Sequence, residues 1–202
     1  MARTNTREEI IRRGADLIHA QGFNATGLQQ ILQAAGIPKG SFYFYFRSKD
    51  HFGLEVIDYF GTQIGDVFSR FLQDQNAPPL VRLENLLDYF ESLFEKNGCG
   101  LGCPIGNLAL ELADTNDSLR LKLREIVEGL IARIEACLEE ARRAGTLAGG
   151  ISPSDAARFI FHGFEGAVMN MKLARSLEPF RIFRLCIRQY LGGAATARKA
   201  VS

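Results

Sequence analysis

The stretch that decides the fold is GIPKGSFYFYFRSKDHF, residues 36–52. It holds five consecutive aromatic residues, Phe42 to Phe46, between Lys39 and Lys49. A buried element is not expected to carry flanking lysines, because a lysine is rarely buried without a partner. A fully solvated surface is not expected to carry so many rings. The stretch therefore indicates a surface that contacts a large anionic partner.

The chain is predicted to begin with three helices. The first covers residues 6–21, because apolar residues recur there at helical spacing and Gly22 follows as a stop signal. Thr26 is the predicted N-cap of a second helix that ends at residue 35. Pro38 is predicted at the first position of a third helix that ends at residue 45. Two short helices joined by a glycine turn match the helix-turn-helix motif, whose last helix enters the major groove of DNA.

A helical projection of residues 38–46 separates the rings into two groups. Phe42 and Phe46 are four residues apart and fall on one face with Pro38. This face is predicted to pack on the first two helices. The other side chains point outward or to the flanks, where lysines and tyrosine hydroxyls can bind phosphates and Phe44 can contact a thymine methyl group. Gly40 allows the backbone to approach the duplex closely. The predicted DNA-contacting residues are Thr26, Lys39, Gly40, Ser41, Tyr43, Phe44, Tyr45 and Lys49.

Charge is distributed in a way that fits this prediction. The 202-residue chain has a formal net charge of +1. Residues 1–51 carry seven basic and four acidic residues, whereas the remainder carries 17 basic and 19 acidic ones. A basic N-terminal segment followed by a slightly acidic remainder favours a polyanionic partner for residues 1–51. No apolar run approaches the roughly 18 residues of a membrane span, and the N-terminus lacks a signal-peptide core, so we expect a cytoplasmic protein without a membrane partner.

The rest of the chain is also predicted to be helical. Ser48 is the predicted cap of a long helix that ends near residue 73, and Ser152 begins another near the C-terminal end. The whole is predicted to be all-α with about nine helices. A helix-turn-helix domain is expected over 1–47 and a regulatory and dimerisation domain over 48–202. No metal site and no cofactor are expected.

The stretch GFNATGLQQILQAAGIPKGSFYFYFRSKDHF, residues 22–52, resembles the TetR family of bacterial repressors. The resemblance rests on Gly22-Phe23, Thr26, Ala35-Gly36-Ile37, Lys39-Gly40, Tyr43, Phe46 and Ser48-Lys49. Pro38 and Phe44 depart from the usual pattern. The resemblance implies a homodimer that binds a palindromic operator on double-stranded DNA and a helical body that binds a small-molecule inducer.

The last two predicted helices, about 152–191, are the dimer interface that the resemblance implies. The sequence agrees, because apolar residues in 180–191 cover more than one stripe of a helix and call for two partners. Arg181, Arg184 and Arg188 are predicted to mark the solvated stripe. A fully buried helix in a monomer is the alternative.

The second notable stretch is NGCGLGCPIGNLALELAD, residues 97–114. Cys103 precedes Pro104 and so is predicted at or near a helix N-cap, where the helix dipole lowers the pKa of a thiol and makes it reactive. Asn107 and Glu111 share its helix face. The stretch is similar to one in the electrophile-sensing branch of the family, that of the N-ethylmaleimide-responsive repressor. By that resemblance Cys103 is the sensing thiol and Cys99 a resolving partner.

Other interpretations of this region remain open. Both cysteines can be small buried apolar groups, as Cys137 and Cys186 are predicted to be. A noncovalent inducer can instead occupy an apolar pocket, with Phe90, Phe94 and Phe164 as the predicted ligand-binding residues; Tyr89, Phe161 and Met169 are further candidates for its walls. A thiol-dependent redox enzyme is disfavoured, because no base lies near either thiol in the sequence.

Overall fold

A computed structural model describes the backbone of residues 2–150 and 152–192 and, within these, all side chains except those of residues 2–5 and Lys39. This described part contains nine α-helices, one 3-10 helix and no strand. The helices are α1 Ala2–Gln21, α2 Leu28–Ala34, the 3-10 helix Lys39–Ser41, α3 Phe42–Tyr45, α4 Lys49–Leu72, α5 Pro79–Lys96, α6 Pro104–Leu112, α7 Asp117–Arg143, α8 Pro153–Ala174 and α9 Glu178–Gly192. The predicted all-α fold is confirmed.

Residue contacts divide the chain into two compact units. The first unit combines Met1–Ile64 with Pro104–Val127, and the second combines Gly65–Cys103 with Glu128–Ser202. The first unit therefore contains α6 and the beginning of α7 as well as the N-terminal helices. The boundary expected after residue 47 stays a prediction.

The turn between α1 and α2 is held by side chains. The hydroxyl of Thr26 donates to the carbonyl oxygen of Gly22 at 2.6 Å and accepts from the side-chain amide of Gln21 at 3.1 Å. The N-cap of α2 is Gly27, whose N–H donates to the side-chain oxygen of Gln30 at 2.8 Å. The prediction that Thr26 is the N-cap is wrong, because its hydroxyl stabilises the preceding turn and Gln30 caps the helix from within.

The third helix consists of the 3-10 turn and α3, which we call together the recognition segment, Lys39–Tyr45. Gly36 precedes it with a φ of +69°, a left-handed conformation that glycine adopts without strain. Phe42 and Phe46 are each 1% exposed, and their ring centroids lie 5.3 Å apart. The predicted packing of these two rings is confirmed. Pro38 is exposed at the N-cap, so its predicted packing on the same face is wrong.

Phe52 on α4 completes this aromatic anchor. Its ring centroid lies 5.7 Å from that of Phe42 and 4.9 Å from that of Phe46, with near-perpendicular rings. Such edge-to-face pairs add about 0.5–1.5 kcal/mol each to the gain from burying the rings. The Ser48 hydroxyl accepts from the N–H of His51 at 3.0 Å and caps α4, as predicted.

The second unit is built around phenylalanines. Ring centroids are 5.1 Å apart for Phe90 and Phe164, and 5.2 Å apart for Phe94 and Phe180. Arg82, one of the few buried polar residues, donates to Glu140 at 2.8 Å and so has a partner for its charge. The Ser152 hydroxyl accepts from the N–H of Asp155 at 3.3 Å and caps α8, as predicted.

The aromatic anchor generates a stability prediction. Phe42→Ala removes a ring that is 1% exposed, and we expect the free energy of unfolding to fall by about 3–5 kcal/mol. Phe44→Ala removes the same ring from a position that is 64% exposed and is the matched control. We expect it to change stability by less than about 0.5 kcal/mol. Urea unfolding followed by circular dichroism measures both, and equal losses would contradict the anchor.

Candidate DNA-binding surface and thiol site

The recognition segment presents aromatic side chains to solvent. Tyr43 is 70% exposed and Phe44 64% exposed, whereas Ser41 and Tyr45 are half-buried. Gly40 is exposed, and a Cβ atom built there would meet no other atom within 4 Å. This open backbone leaves room for a large flat partner. The predicted outward direction of these residues agrees with the structure, and their contact with DNA stays a prediction.

Two basic residues flank the segment. Lys39 begins the 3-10 helix, and its predicted phosphate contact depends on a side chain outside the described part. Lys49 is the first residue of α4, and its ammonium lies 4.7 Å from the centroid of the Phe23 ring and 3.5 Å from the carbonyl oxygen of Asn24. These contacts hold the Lys49 charge beside the α1–α2 turn, on the half-buried border of the surface. Its predicted contact with a phosphate is not tested by this geometry.

Thr26 does not belong to this surface. Its side chain has no exposed area, and its hydroxyl is engaged by Gly22 and Gln21. We therefore correct its predicted role from DNA contact to stabilisation of the turn.

Glu111 has a different role from the one predicted. Its two carboxylate oxygens accept from the backbone N–H groups of Phe23 at 2.9 Å and Asn24 at 2.6 Å, all within the first unit. A Cβ atom at Gly22, where φ is +93°, would lie 3.1 Å from the same carboxylate. Hydrogen bonds to a charged acceptor are worth about 1.5–3 kcal/mol each. The prediction that Glu111 lines a sensor pocket is wrong, because both of its oxygens bind the α1–α2 turn.

The thiol of Cys103 lies where the sequence predicted, directly before Pro104, the first residue of α6. The side chain is partly exposed and forms a hydrogen bond with the carboxyl group of Glu165 on α8. Burial raises the pKa of Glu165, and the hydrogen bond from Cys103 opposes that change. The other oxygen, Oε1, is buried and has no hydrogen-bond partner among the described residues.

Sequence reasoning missed Glu165. It lies 62 positions after Cys103 in the chain, so no spacing connects the two residues. A lone acid within the apolar stretch FIFHGFEGAVM, residues 159–169, is the one signal that could have marked it. Asn107 is half-buried on α6, and its place in a sensor pocket stays a prediction.

The other cysteines differ in accessibility. None of the four is in a disulfide. Cys99 is buried with a φ of +57°, and its N–H donates to the carbonyl oxygen of Phe94 at 2.9 Å. Cys137 is buried as predicted, and burial raises its pKa to about 11. Cys186 is exposed on α9, so the prediction of a buried side chain is wrong there. The role of Cys99 as a resolving partner stays a prediction.

The predicted inducer pocket is nearly filled. Phe90 and Phe164 line an apolar cavity of about 10 Å³, together with Phe68, Leu83, Leu86, Leu87, Ile134, Ile160 and Phe161. That volume is about one water-sized sphere. Phe94 packs against Phe90 outside the cavity lining, with centroids 5.9 Å apart. Met169 is 49% exposed, so its predicted position in the pocket wall is wrong.

Residues 2–150 and 152–192 contain neither a cluster of metal ligands nor a helix that could span a membrane. No three His, Cys, Asp or Glu side chains come together as a possible metal site. No helix there is both long and apolar enough to cross a bilayer.

The bonds of Glu111 generate a prediction about the α1–α2 turn. Glu111→Ala leaves the N–H groups of Phe23 and Asn24 without their acceptor, so we expect faster amide exchange in residues 22–27. Because the bond at Asn24 is exposed and water can replace it, we expect a loss in stability of about 1.5–3 kcal/mol, the value of the part-buried bond at Phe23. Glu111→Gln keeps one acceptor oxygen and should lie between wild type and Glu111→Ala. Hydrogen exchange followed by mass spectrometry measures the effect, and unchanged exchange in Glu111→Ala would contradict it.

Two family models match the chain. Residues 10–56 match the family model "Bacterial regulatory proteins, tetR family", and residues 79–187 match "Tetracyclin repressor-like, C-terminal domain". The HTH-type transcriptional repressor DhaR of Mycobacterium sp. (strain GP1) is 34% identical over 183 residues, which cover 91% of this chain and 90% of that protein.

Two solved structures share the fold. The crystal structure of the regulatory protein TetR from Rhodobacter sphaeroides aligns with a TM-score of 0.85 and 30% identity, covering 91% of this chain and 97% of the other. The reduced form of E. coli NemR aligns with a TM-score of 0.83 and 27% identity, covering 94% and 99%. These relatives are named as transcriptional regulators rather than enzymes. The chain belongs to the TetR family of bacterial transcriptional regulators.

Proposed function

We propose that this protein is a homodimeric repressor that binds a palindromic operator and is released when an electrophile or oxidant modifies Cys103. The observation that carries the proposal is the recognition segment, which buries Phe42 and Phe46 while leaving Tyr43 and Phe44 on the surface. A noncovalent inducer is the second candidate, and the cavity lined by Phe90 and Phe164, at about 10 Å³, would have to open to hold it.

The outward residues suit a DNA duplex chemically. The Tyr43 hydroxyl can donate to a phosphate, and the exposed Phe44 ring can lie against a thymine methyl group or a sugar. Gly40 leaves the backbone open at the start of the segment. In a dimer, two such segments would dock in successive major grooves about 34 Å apart.

A second apolar face on α9 supports dimerisation. One face is buried and contains Phe180, Phe183, Ile187 and Leu191. On the other, Ile182 is 54% exposed and Leu185 55% exposed. On α8 Phe159 is 55% exposed, and its ring centroid lies 5.2 Å from that of Tyr190. Exposed apolar groups clustered in this way are typical of a protein interface.

The arginines of α9 form the solvated stripe that the sequence predicted only in part. Arg181 and Arg188 are exposed, as predicted, whereas Arg184 is half-buried. Arg181 pairs with Glu91 on α5 at 2.7 Å, and Arg184 pairs with Asp88 and Glu91. Arg188 pairs with Glu84 at 2.8 Å. The arginine face of α9 therefore contacts the acidic face of α5, and the exposed apolar face is left for a second copy of the chain.

The proposed release of DNA depends on α6, which follows Cys103 in the chain and carries Glu111. Cys103 directly precedes α6, and Glu111 near the end of α6 binds the α1–α2 turn. An adduct on Cys103 that favours another position of α6 would loosen those bonds and alter the helix-turn-helix unit. Only a modification that distinguishes the two states in free energy can produce such a shift. The E. coli relative NemR, whose solved structure is described as a reduced form, supports a redox-linked reading.

The DNA-binding surface has a direct test. Lys39→Ala with Tyr43→Phe removes one positive charge and one hydroxyl, and we expect operator binding to be lost with little change in melting temperature. Lys96→Ala with Tyr89→Phe makes the same chemical changes in the second unit and should bind normally. Gel shifts on operator fragments compare the two variants, and undiminished binding by the first would count against the surface.

The proposed dimer interface can be tested with two exposed leucines, one inside it and one outside it. Leu185 on α9 is 55% exposed and Leu110 on α6 is 79% exposed. Leu185→Glu places a charge that a dimer would have to bury, so we expect a monomer in sedimentation analysis. Leu110→Glu should leave the dimer intact. A dimeric Leu185→Glu variant would exclude this face as the interface.

The trigger is tested by alkylation. N-ethylmaleimide should release operator DNA from the wild type but not from Cys103→Ser. Cys186→Ser removes the exposed thiol of α9 and should respond as the wild type does. Release of Cys103→Ser to the same extent as the wild type would reject the covalent trigger and favour a noncovalent inducer.

A further inference from the structure

We propose that Glu165 is the proton acceptor that activates Cys103, and that the pair reacts with neutral electrophiles in preference to anionic ones. This inference rests on the proposed function, in which Cys103 is the sensing thiol. It adds the residue that makes the thiol a nucleophile and the chemical class of molecule that the pair admits.

The geometry places the acid where a base is needed. A thiol is a poor nucleophile until it loses its proton, and reactive thiols are activated by an adjacent base or a favourable electric field. The Cys103 thiol forms a hydrogen bond with Glu165, and both residues belong to the second unit. The proton therefore has a path of one hydrogen bond from sulfur to carboxylate oxygen.

Glu165 also has a carboxylate oxygen that accepts no hydrogen bond within the described chain. Its Oε1 atom is buried and, within the described chain, has no hydrogen-bond partner. A buried acceptor without a partner is destabilising, so its presence in the apolar stretch of residues 159–169 calls for an explanation. An oxygen left without a partner can receive the thiol proton or bind a polar group of an incoming molecule.

Burial makes the transfer easier. The pKa of Glu165 is raised because its carboxylate is desolvated, which brings its proton affinity closer to that of a thiol. Matching the proton affinities of donor and acceptor lowers the cost of the transfer.

The reaction with an α,β-unsaturated carbonyl compound is an addition that needs no oxidant. The Cys103 proton moves to a Glu165 oxygen while the sulfur lone pair forms a C–S bond to the β-carbon of the alkene. The π electrons of the C=C bond move onto the carbonyl group as an enolate. The proton then passes from Glu165 to the α-carbon, which gives a thioether and restores the carboxylate.

The charge of the pair selects the reagent. The thiol and carboxylate carry one negative charge between them, wherever the shared proton lies. In a partly buried site that charge disfavours anionic electrophiles, because the interaction is screened less than in water. Neutral electrophiles are therefore expected to react faster than anionic ones.

The test measures alkylation of Cys103 against a small reference thiol. N-ethylmaleimide is added to the full-length protein, the rate at Cys103 is read by peptide mass spectrometry, and the rate with 2-mercaptoethanol is measured in parallel. In Glu165→Gln we expect the rate at Cys103 to fall about a hundredfold relative to that reference, the effect of losing a general base. Glu165→Asp keeps the carboxylate and should recover part of the rate.

A second readout separates activation from simple packing. In the wild type, Cys103 should favour iodoacetamide over iodoacetate more strongly than 2-mercaptoethanol does. In Glu165→Gln the preference of Cys103 should approach that of 2-mercaptoethanol, because the site has lost the charge of the carboxylate. A rate at Cys103 that stays the same or rises in Glu165→Gln would overturn the proposal. If Glu165→Gln does not fold, a rate in Glu165→Asp at or above that of wild type overturns it instead.

The outcome is distinguishable from failure of the proposed function. Cys103 of Glu165→Gln can react at the wild-type rate while its alkylation still releases DNA, in which case only the role of Glu165 fails. Alkylation of Cys103 without release of DNA rejects the covalent trigger, whatever the alkylation rate of Cys103 in the Glu165→Gln variant.

Discussion

The interaction on which the account depends is the packing of Phe42 and Phe46 against Phe52. Because these rings are buried on one side of the recognition segment, Tyr43 and Phe44 have to lie on the other. A short helix has little stability of its own. The buried rings therefore hold the segment in place and determine which aromatic residues lie on the surface that we propose binds DNA.

The first unit is tied together by a second, polar contact. Glu111 binds the backbone at Phe23 and Asn24, so α6 is part of the same compact unit as the helix-turn-helix. This contact gives the proposed trigger a physical route, since α6 begins at the residue after Cys103. The cavity lined by Phe90 and Phe164 is nearly filled, so an inducer larger than a water molecule would have to rearrange these rings to enter it.

The sequence was sufficient where the determining contacts are local. The spacing of Phe42 and Phe46 predicted their shared face, and the Ser48 and Ser152 caps followed from side chains that bond within three residues. The role of Thr26 was wrong because its hydroxyl accepts from the side chain of Gln21 and donates to the carbonyl oxygen of Gly22, rather than accepting from the N–H groups of α2. Glu111 and Glu165 could not be assigned, because their partners lie 88 and 62 positions away in the chain. Helical spacing says nothing about contacts at that range.

The most direct measurement is selection of genomic DNA fragments on the purified protein, followed by footprinting of those that are enriched. The account predicts fragments that share an inverted repeat, with two protected major-groove faces about one helical turn apart, roughly 34 Å. Enrichment of no fragment, or protection of a single unrepeated site, would contradict a dimer that reads DNA through two copies of the recognition segment.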